Sequence, residues 1–228
     1  MQTAQKVITA YRRKRIIVCL LVALLTLGTT LAIRFISQRS VNEEYIRTAA
    51  SQRVTALDNI LRPLSAERAT LLSLVDKPCM DIHLTLRKMA ASLQTVRSVA
   101  LVASGMIYCS SIFGQRQADL HQLQPALPAH HPLLLFSTDN SLLKGTPVLI
   151  QWYPASESGF DGVMLIVNIE LLGTLILKEK SPLISDVSLQ VGDHYFISGL
   201  GLIDKAHAPQ ASVIYRQRST EFPFTINI

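Results

Sequence analysis

The stretch Ile16–Ile33 reads IIVCLLVALLTLGTTLAI and carries no charged side chain over its eighteen residues. As an α-helix it would be about 27 Å long, close to the ~30 Å hydrocarbon core of a bilayer. The basic run Arg12-Arg13-Lys14-Arg15 stands directly before it, whereas acidic side chains soon dilute the basic ones behind it. Because basic flanks stay in the cytoplasm, the pattern predicts a cytoplasmic N-terminus over 1–15, a transmembrane helix over 16–33 and an exported region over 34–228.

A cleaved signal peptide is the alternative interpretation of this run. Such peptides usually have an apolar region of about 7–15 residues that ends in small residues. Here the run is longer and leads into Ala32-Ile33-Arg34-Phe35, a poor cleavage site, so an uncleaved anchor is favoured. Cys19 lies inside this helix, where it acts as a small apolar residue and cannot meet the two cysteines further along.

The positive charge of the chain is concentrated near its N-terminus. The formal net charge is +6, and residues 1–33 hold five Lys or Arg and no acid. The remaining 195 residues therefore hold 17 basic against 16 acidic side chains. This distribution indicates a membrane-proximal basic cluster and argues against a nucleic-acid surface.

Two helices are predicted between the membrane segment and the first strands. The first covers 40–76, with Ile46, Ala50, Leu57, Leu61 and Leu64 on one face, and Pro63 should kink or divide it. That face can pack on the core of the domain or pair with a second copy, and core packing is favoured. The second helix covers His83–Thr95.

The rest of the chain has mostly strand patterns. One hairpin joins Val96–Val102 to Met106–Ser111 around Ser104-Gly105, and a second joins Pro147–Tyr153 to Gly162–Asn168 through the loop 158–161. The proline-containing stretch Gln115–Thr138 is expected to run over the surface. A short helix and four further strands follow: Glu170–Leu177, Val187–Val191, Tyr195–Ser198, Ser212–Arg218 and Phe222–Ile228. The order predicts an α+β fold: a transmembrane helix, a long juxtamembrane helix and an extracytoplasmic PAS-like domain with a mainly antiparallel sheet. The strand-like end without a polar tail suggests part of a longer protein.

Cys79 and Cys109 both lie beyond the membrane segment, where thiols oxidise readily. A bridge between them would close a loop of about 30 residues and stabilise the domain by roughly 3.5 kcal/mol in the chain-entropy model. It can be an inert staple or a switch whose two redox forms pack differently. The spacing lacks the CxxC pattern of a metal site, and Cys109 as a catalytic nucleophile would need a positioned base, for which only His83, His121 and His194 offer themselves.

A basic flank, one membrane helix, an upstream cysteine and then Cys109-Ser110-Ser111 after a short apolar strand form a recognisable order. It closely resembles the CSS-motif sensory domain of bacterial inner-membrane cyclic-di-GMP phosphodiesterases. Further stretches similar to enterobacterial members extend the resemblance over essentially the whole chain: Leu93–Ser98, Cys109–Gly114, Gln124–Pro128, Pro147–Trp152 and Phe222–Asn227.

The resemblance implies a longer parent protein. In the family a second membrane helix and a cytoplasmic EAL domain follow, and the EAL domain hydrolyses cyclic di-GMP to pGpG with Mg²⁺ or Mn²⁺. No Glu-Ala-Leu signature occurs here, so neither a catalytic site nor a metal site is expected in this chain. The resemblance places the exported region in the periplasm and makes the inner membrane and the periplasmic thiol-oxidising machinery its partners, with a homodimer as a further option. Cyclic di-GMP would be bound only through the EAL domain.

The resemblance also implies a redox role for Cys79 and Cys109, with Ser110 and Ser111 completing the motif. The free-thiol form is expected to favour activity and the disulfide to restrain it. The alternatives are a ligand-binding or protein-interaction module in which the disulfide is purely structural. Arg97, Trp152, Tyr153 and Tyr195 are the candidate lining groups of a ligand site, although aromatic residues on strands more often belong to the core.

Overall fold

The computed structural model describes residues 2–127, 129–138, 146–155, 159–177, 184, 187–205, 213 and 215–228, without the side chains of 2–14 and 175. The chain divides into two compact units, Met1–Tyr45 and Ile46–Ile228. The helix α1 (Gln2–Ala66) supplies the described part of the first unit and begins the second.

The first unit carries the apolar run on the exposed surface of α1. All described side chains from Arg15 to Tyr45 are exposed, including the leucines and isoleucines of the run. Within the described ranges, α1 is the one helix that is long and apolar enough to cross a membrane. Apolar side chains in such number need cover by other apolar groups, and a bilayer provides it.

In the second unit α1 buries one face. The buried positions are Ile46, Ala49, Ala50, Val54, Leu57, Leu61 and Leu64, which confirms the prediction that this helix packs on the core. Pro63 was expected to kink or divide this helix, and it does not divide it, because α1 continues to Ala66. Proline removes one backbone donor, but burial of Leu61 and Leu64 on either side keeps the helical path, and Glu67 N still donates to Pro63 O at 3.2 Å.

Two short helices separate α1 from the first sheet. The helix α2 (Arg68–Leu72) follows the break at Glu67, and α3 (Cys79–Ser92) begins after the turn residues 73–78. The predicted start of α3 was four residues late. Pro78, in extended conformation at φ −57° and ψ 131°, occupies the position before its first turn and explains the earlier start. The helix packs against the first three strands of the sheet.

The first sheet has six antiparallel strands in the order β3-β2-β1-β6-β5-β4. They are β1 (Val96–Ala103), β2 (Met106–Ser110), β3 (Gly114–Asp119), β4 (Leu133–Ser137), β5 (Val148–Pro154) and β6 (Gly162–Asn168), with α4 (Leu120–Leu123) between β3 and β4. Both predicted hairpins are present as β1–β2 and β5–β6; residue 158 of the predicted second loop lies outside the described residues. The expectation of a surface coil over Gln115–Thr138 is wrong, since this stretch supplies both edge strands.

The second sheet has five antiparallel strands in the order β10-β11-β7-β8-β9. They are β7 (Ser188–Val191), β8 (His194–Ile197), β9 (Gly201–Asp204), β10 (Arg216–Arg218) and β11 (Thr225–Asn227). The predicted helix over Glu170–Leu177 is α5 (Ile169–Leu172) followed by a π-helical turn, Gly173–Leu177. Residues 212 and 214 of the predicted strand Ser212–Arg218 lie outside the described part. The fold class is confirmed, but the strands form two sheets where one was expected.

The first sheet has apolar groups on both faces. Along β5, Leu149 and Tyr153 join the larger core together with α1 and α3, whereas Ile150 and Trp152 join a second cluster on the opposite face. Trp152 is fully buried, and its Nε1 donates to Ala129 O at 2.7 Å. Trp152 is therefore a core residue, as aromatic residues on strands usually are.

Candidate functional site

A disulfide joins Cys79, the first residue of α3, to Cys109 in β2. The Cα atoms are 5.4 Å apart, within the usual range for a bridge. Cys109 is 0% exposed and Cys79 is 7% exposed. The pair that the sequence predicted is thus brought together, and the bond ties the start of a helix to an inner strand of the six-stranded sheet.

The position of Cys109 is set by strand pairing on both sides. It lies opposite Leu101 of β1 and Gln115 of β3. The register with β1 shifts between Leu101 and Val102, where Tyr108 is the extra residue on β2, and this marks a bulge at Tyr108. Because a bulge breaks the usual alternation, both Tyr108 and Cys109 contact the larger core, on the side of α3.

The two serines of the motif hold the chain where β2 ends. Ser111 Oγ accepts a hydrogen bond from Val99 N at 3.0 Å, and Ser111 N donates to Val99 O at 2.8 Å. Ser110 Oγ accepts hydrogen bonds from two backbone N–H groups of the following turn, that of Ile112 at 3.3 Å and that of Phe113 at 3.5 Å. Both serines are buried. Their role is therefore to fix the turn that follows Cys109 against β1.

Tyr108 makes a second connection between β2 and the segment before α3. Its hydroxyl donates to Leu74 O at 3.3 Å, and burial raises the pKa of this phenol. The receiving segment leads through Asp76, whose φ is +70°, to Cys79. The sequence offered no sign of this contact beyond the place of Tyr108 next to Cys109.

His83 is the histidine that lies at this site. It stands four residues after Cys79 on α3, and its ring packs against Gly114, where an added Cβ would be 3.4 Å from Nε2. Its Nε2 is buried and has no hydrogen-bond partner among the described residues. The other candidate bases are engaged elsewhere: His121 Nδ1 lies 3.3 Å from Leu127 O, and His194 Nε2 lies 3.3 Å from Asp204.

The chemistry available here is that of a thiol pair. Where the chain is described, no group of three or more His, Cys, Asp or Glu side chains could hold a metal ion. Two sulfurs that can be joined or separated, each on a different element, change the covalent connection between α3 and the sheet. That change is the one reaction that this arrangement supports directly.

A polar cluster fastens the C-terminal segment to α1. Arg62 pairs with Glu221 through two hydrogen bonds, Nε to Oε2 at 3.0 Å and Nη2 to Oε1 at 2.5 Å. This pairing raises the pKa of Arg62 and lowers the pKa of Glu221. Beside it, Ser219 Oγ donates to the buried Asp58 at 2.6 Å. The segment that follows β10 is therefore held to the helix that leads in from the first unit.

Comparison with known proteins identifies relatives over the whole chain. The family model described as the CSS motif domain associated with EAL matches residues 42–228. The chain is 47% identical over 228 residues to the probable cyclic di-GMP phosphodiesterase PdeD of Escherichia coli (strain K12), covering 100% of this chain and 43% of that protein. It is 23% identical over 189 residues to the probable cyclic di-GMP phosphodiesterase PdeN of the same organism, covering 80% of this chain and 36% of that protein. The chain thus spans less than half the length of either relative.

Solved structures share the fold at low identity. The ligand-binding domain of the Pseudomonas aeruginosa PAO1 amino acid chemoreceptor PctC, in complex with GABA, has a TM-score of 0.57 at 18% identity and covers 82% of this chain and 99% of that one. The ligand-binding domain of Campylobacter jejuni chemoreceptor Tlp3, in complex with 4-methylisoleucine, has a TM-score of 0.52 at 13% identity, with 82% and 90% covered. At these identities the likeness concerns the architecture alone.

Proposed function

We propose that this chain, which belongs to the family of CSS motif domains associated with EAL, is the redox-responsive sensory region of a membrane-bound cyclic-di-GMP phosphodiesterase. In this proposal residues 1–15 are cytoplasmic, 16–33 cross the inner membrane and 34–228 lie in the periplasm. The hydrolysis of cyclic di-GMP to pGpG, with Mg²⁺ or Mn²⁺, belongs to an EAL domain of the parent protein. The sensory region contributes regulation.

The observation that carries the proposal is the bond between Cys79 and Cys109. It connects α3 to a strand that is paired on both sides, so its closure restricts how the helix can move on the sheet. The oxidised form would then restrain the parent enzyme, and the dithiol form would release it. Periplasmic thiol-oxidising proteins would close the bond. In a homodimer, the motion of α3 that an open bond allows would act on the second copy.

The test is the phosphodiesterase activity of the full-length parent in membranes. Cys109→Ala should raise the activity under oxidising conditions, because the bond can no longer form. Cys19→Ala is the matched control, since this cysteine is free and exposed on the apolar part of α1, and it should leave the activity unchanged. If Cys109→Ala and the unmodified parent protein hydrolyse cyclic di-GMP equally fast, the disulfide is purely structural and the proposed redox role is refuted.

A second candidate function is the binding of a small molecule in a cleft of about 410 Å³ beside β5. Gln151 and Tyr153 line this cleft. In the described parts of the chain, Gln151 Oε1 and the Tyr153 hydroxyl are buried without a hydrogen-bond partner. Burial raises the pKa of Tyr153 to about 12. The two chemoreceptor domains of similar fold bind amino acids or related molecules. A thermal-shift measurement with an amino acid panel tests this function, and a panel without any stabilising compound would argue against it.

A further inference from the structure

We propose that the bridge opens and closes through Cys79, and that Cys109 acts as the resolving sulfur. The partners are a small or protein disulfide as the oxidant and a dithiol as the reductant. This inference rests on the proposed function in one respect only, namely that the bond is exchanged during the life of the protein. Cys79 and Cys109, which share one redox role in the proposed function, thereby receive different chemical roles.

Access favours Cys79 as the first point of attack. It occupies the first turn of α3, and the next residue, Met80, is 81% exposed. Among the described residues, no side chain caps this helix end, and the first backbone bond of the turn runs from Asp81 N to Pro78 O at 3.0 Å. Helix ends open locally at low free energy. Opening one turn would therefore bring the Cys79 sulfur into solvent.

Cys109 has no comparable route to solvent. It is completely buried, and its strand is hydrogen-bonded to β1 on one side and β3 on the other. The turn after it is held to β1 by Ser111 through bonds in both directions. Because its side chain lies on the α3 side of the sheet, this sulfur reaches solvent only when the helix itself is displaced from the sheet, whereas the Cys79 sulfur moves out with the opened turn. An external thiol or disulfide should therefore reach Cys79 far more often.

Local electrostatics also favours a thiolate at Cys79. The sulfur lies at the N-terminal end of a 14-residue helix, where the helix dipole stabilises negative charge, and the exposed Lys77 stands two residues before it. Asp76 before Lys77 and Asp81 in the first turn oppose this effect in part. Cys109 lies in an apolar core, which disfavours a charged sulfur. Because the thiolate is the attacking species, charge and access both favour Cys79 over Cys109 as the first sulfur to react.

Each step balances. In oxidation, the Cys79 thiolate attacks one sulfur of a disulfide R–S–S–R′, forms Cys79–S–S–R and releases R′–S⁻. The Cys109 thiol then loses its proton to solvent and attacks the Cys79 sulfur, which forms the bridge and releases R–S⁻. The two cysteines lose two electrons, and the reagent disulfide gains them. Reduction runs in reverse, with the incoming thiolate on Cys79 and Cys109 as the leaving group.

The test compares single thiols in the full chain with Cys19→Ala as the common background. Cys109→Ser leaves only Cys79, and Cys79→Ser leaves only Cys109. Each reduced protein, in detergent, is mixed with oxidised glutathione, quenched with an alkylating agent and analysed by mass spectrometry. The Cys79 protein should form its mixed disulfide at least about tenfold faster than the Cys109 protein, and in denaturant the two rates should become similar.

A second measurement avoids the serine substitutions and any loss of folding that they cause. The reduced Cys19→Ala protein is treated with limiting iodoacetamide, and the modified cysteine is identified by peptide mapping. Alkylation should fall mainly on Cys79. Equal or faster reaction of Cys109 in either measurement overturns the assignment. The proposed function is judged separately by phosphodiesterase activity, so a resolving role for Cys79 with a redox-sensitive parent would refute only this inference.

Discussion

Reduction of the Cys79–Cys109 bond should lower the thermal stability of residues 46–228 by a large and specific amount. The bonded residues are 30 positions apart in sequence, and closing a loop of that length removes about 3.5 kcal/mol of unfolded-chain entropy. A domain of 150–250 residues loses about 2–4 °C in Tm per kcal/mol. The expected decrease in Tm on reduction is therefore about 7–14 °C.

The fluorescence of Trp152 reports this transition well. It is the single tryptophan of the chain, lies fully buried in the six-stranded sheet and stands outside the apolar run Ile16–Ile33. Thermal unfolding would be followed in detergent with the Cys19→Ala protein, with and without dithiothreitol. The Cys79→Ala/Cys109→Ala double variant is the matched control and should show no effect of the reductant. A change of less than about 2 °C in the Cys19→Ala protein would refute the loop-closure argument.

Three further predictions concern the site and the C-terminal segment. Ser111→Ala should lower the free energy of unfolding by about 1–3 kcal/mol in denaturant titrations, because a buried backbone N–H of β1 loses its acceptor; Ser110→Ala, whose bonds are longer and reach a turn, should cost less, and the reverse order would contradict this role. Gly114→Ala should destabilise by about 1–2 kcal/mol because φ is +69° at this position, and an unchanged unfolding midpoint would disprove the need for glycine. The lowered pKa of Glu221 beside Arg62 means that the pair stabilises the fold above the unfolded-state pKa of Glu221 and is lost as the pH falls through the folded-state pKa; Glu221→Gln should remove this acid-side dependence from Tm measured against pH.

The elements that the sequence predicted well are those with strong local signals. The helical course of the uncharged run in α1 needs no tertiary information, because length and composition alone indicate a candidate membrane span. The β1–β2 hairpin was visible from two apolar strands around Ser104-Gly105, and both residues of that turn adopt positive φ. The buried face of α1 in the second unit followed from apolar spacing at three to four residues.

The two edge strands were missed for different reasons, because β3 is mostly polar and the apolar run of β4 follows a stretch with three prolines. The sequence of β3 is GQRQAD, which has no large apolar residue, and such an edge strand is held by pairing with β2 more than by burial. The strand β4 follows Pro132 directly, and proline is accepted at the start of an edge strand because no ladder bond is needed there. The division into two sheets depends on long-range pairing that no local pattern reveals.

The disulfide of the candidate site was predictable from the sequence, whereas the hydrogen bonds that surround it were not. Two cysteines beyond an anchor indicate a bridge on compartment and count alone. The roles of Ser110 and Ser111 depend on the register of β2 with its neighbours, which places a hydroxyl against the Val99 N–H. The contact of Tyr108 with Leu74 depends on a bulge, and bulges leave little trace in a single sequence.

The bridge alone should restrain the parent enzyme in part. A shift from 1:99 to 99:1 needs about 5.5 kcal/mol, whereas the bridge supplies about 3.5 kcal/mol even if the active form separates Cys79 from Cys109 as freely as unfolding does. The Tyr108–Leu74 hydrogen bond joins β2 to the segment before α3 without either thiol, so it should still oppose the same motion after reduction. We therefore expect Cys109→Ala/Tyr108→Phe to hydrolyse cyclic di-GMP faster than Cys109→Ala in the full-length parent. Equal rates for the two variants, at equal protein levels in the membrane, would show that the tyrosine takes no part in the restraint.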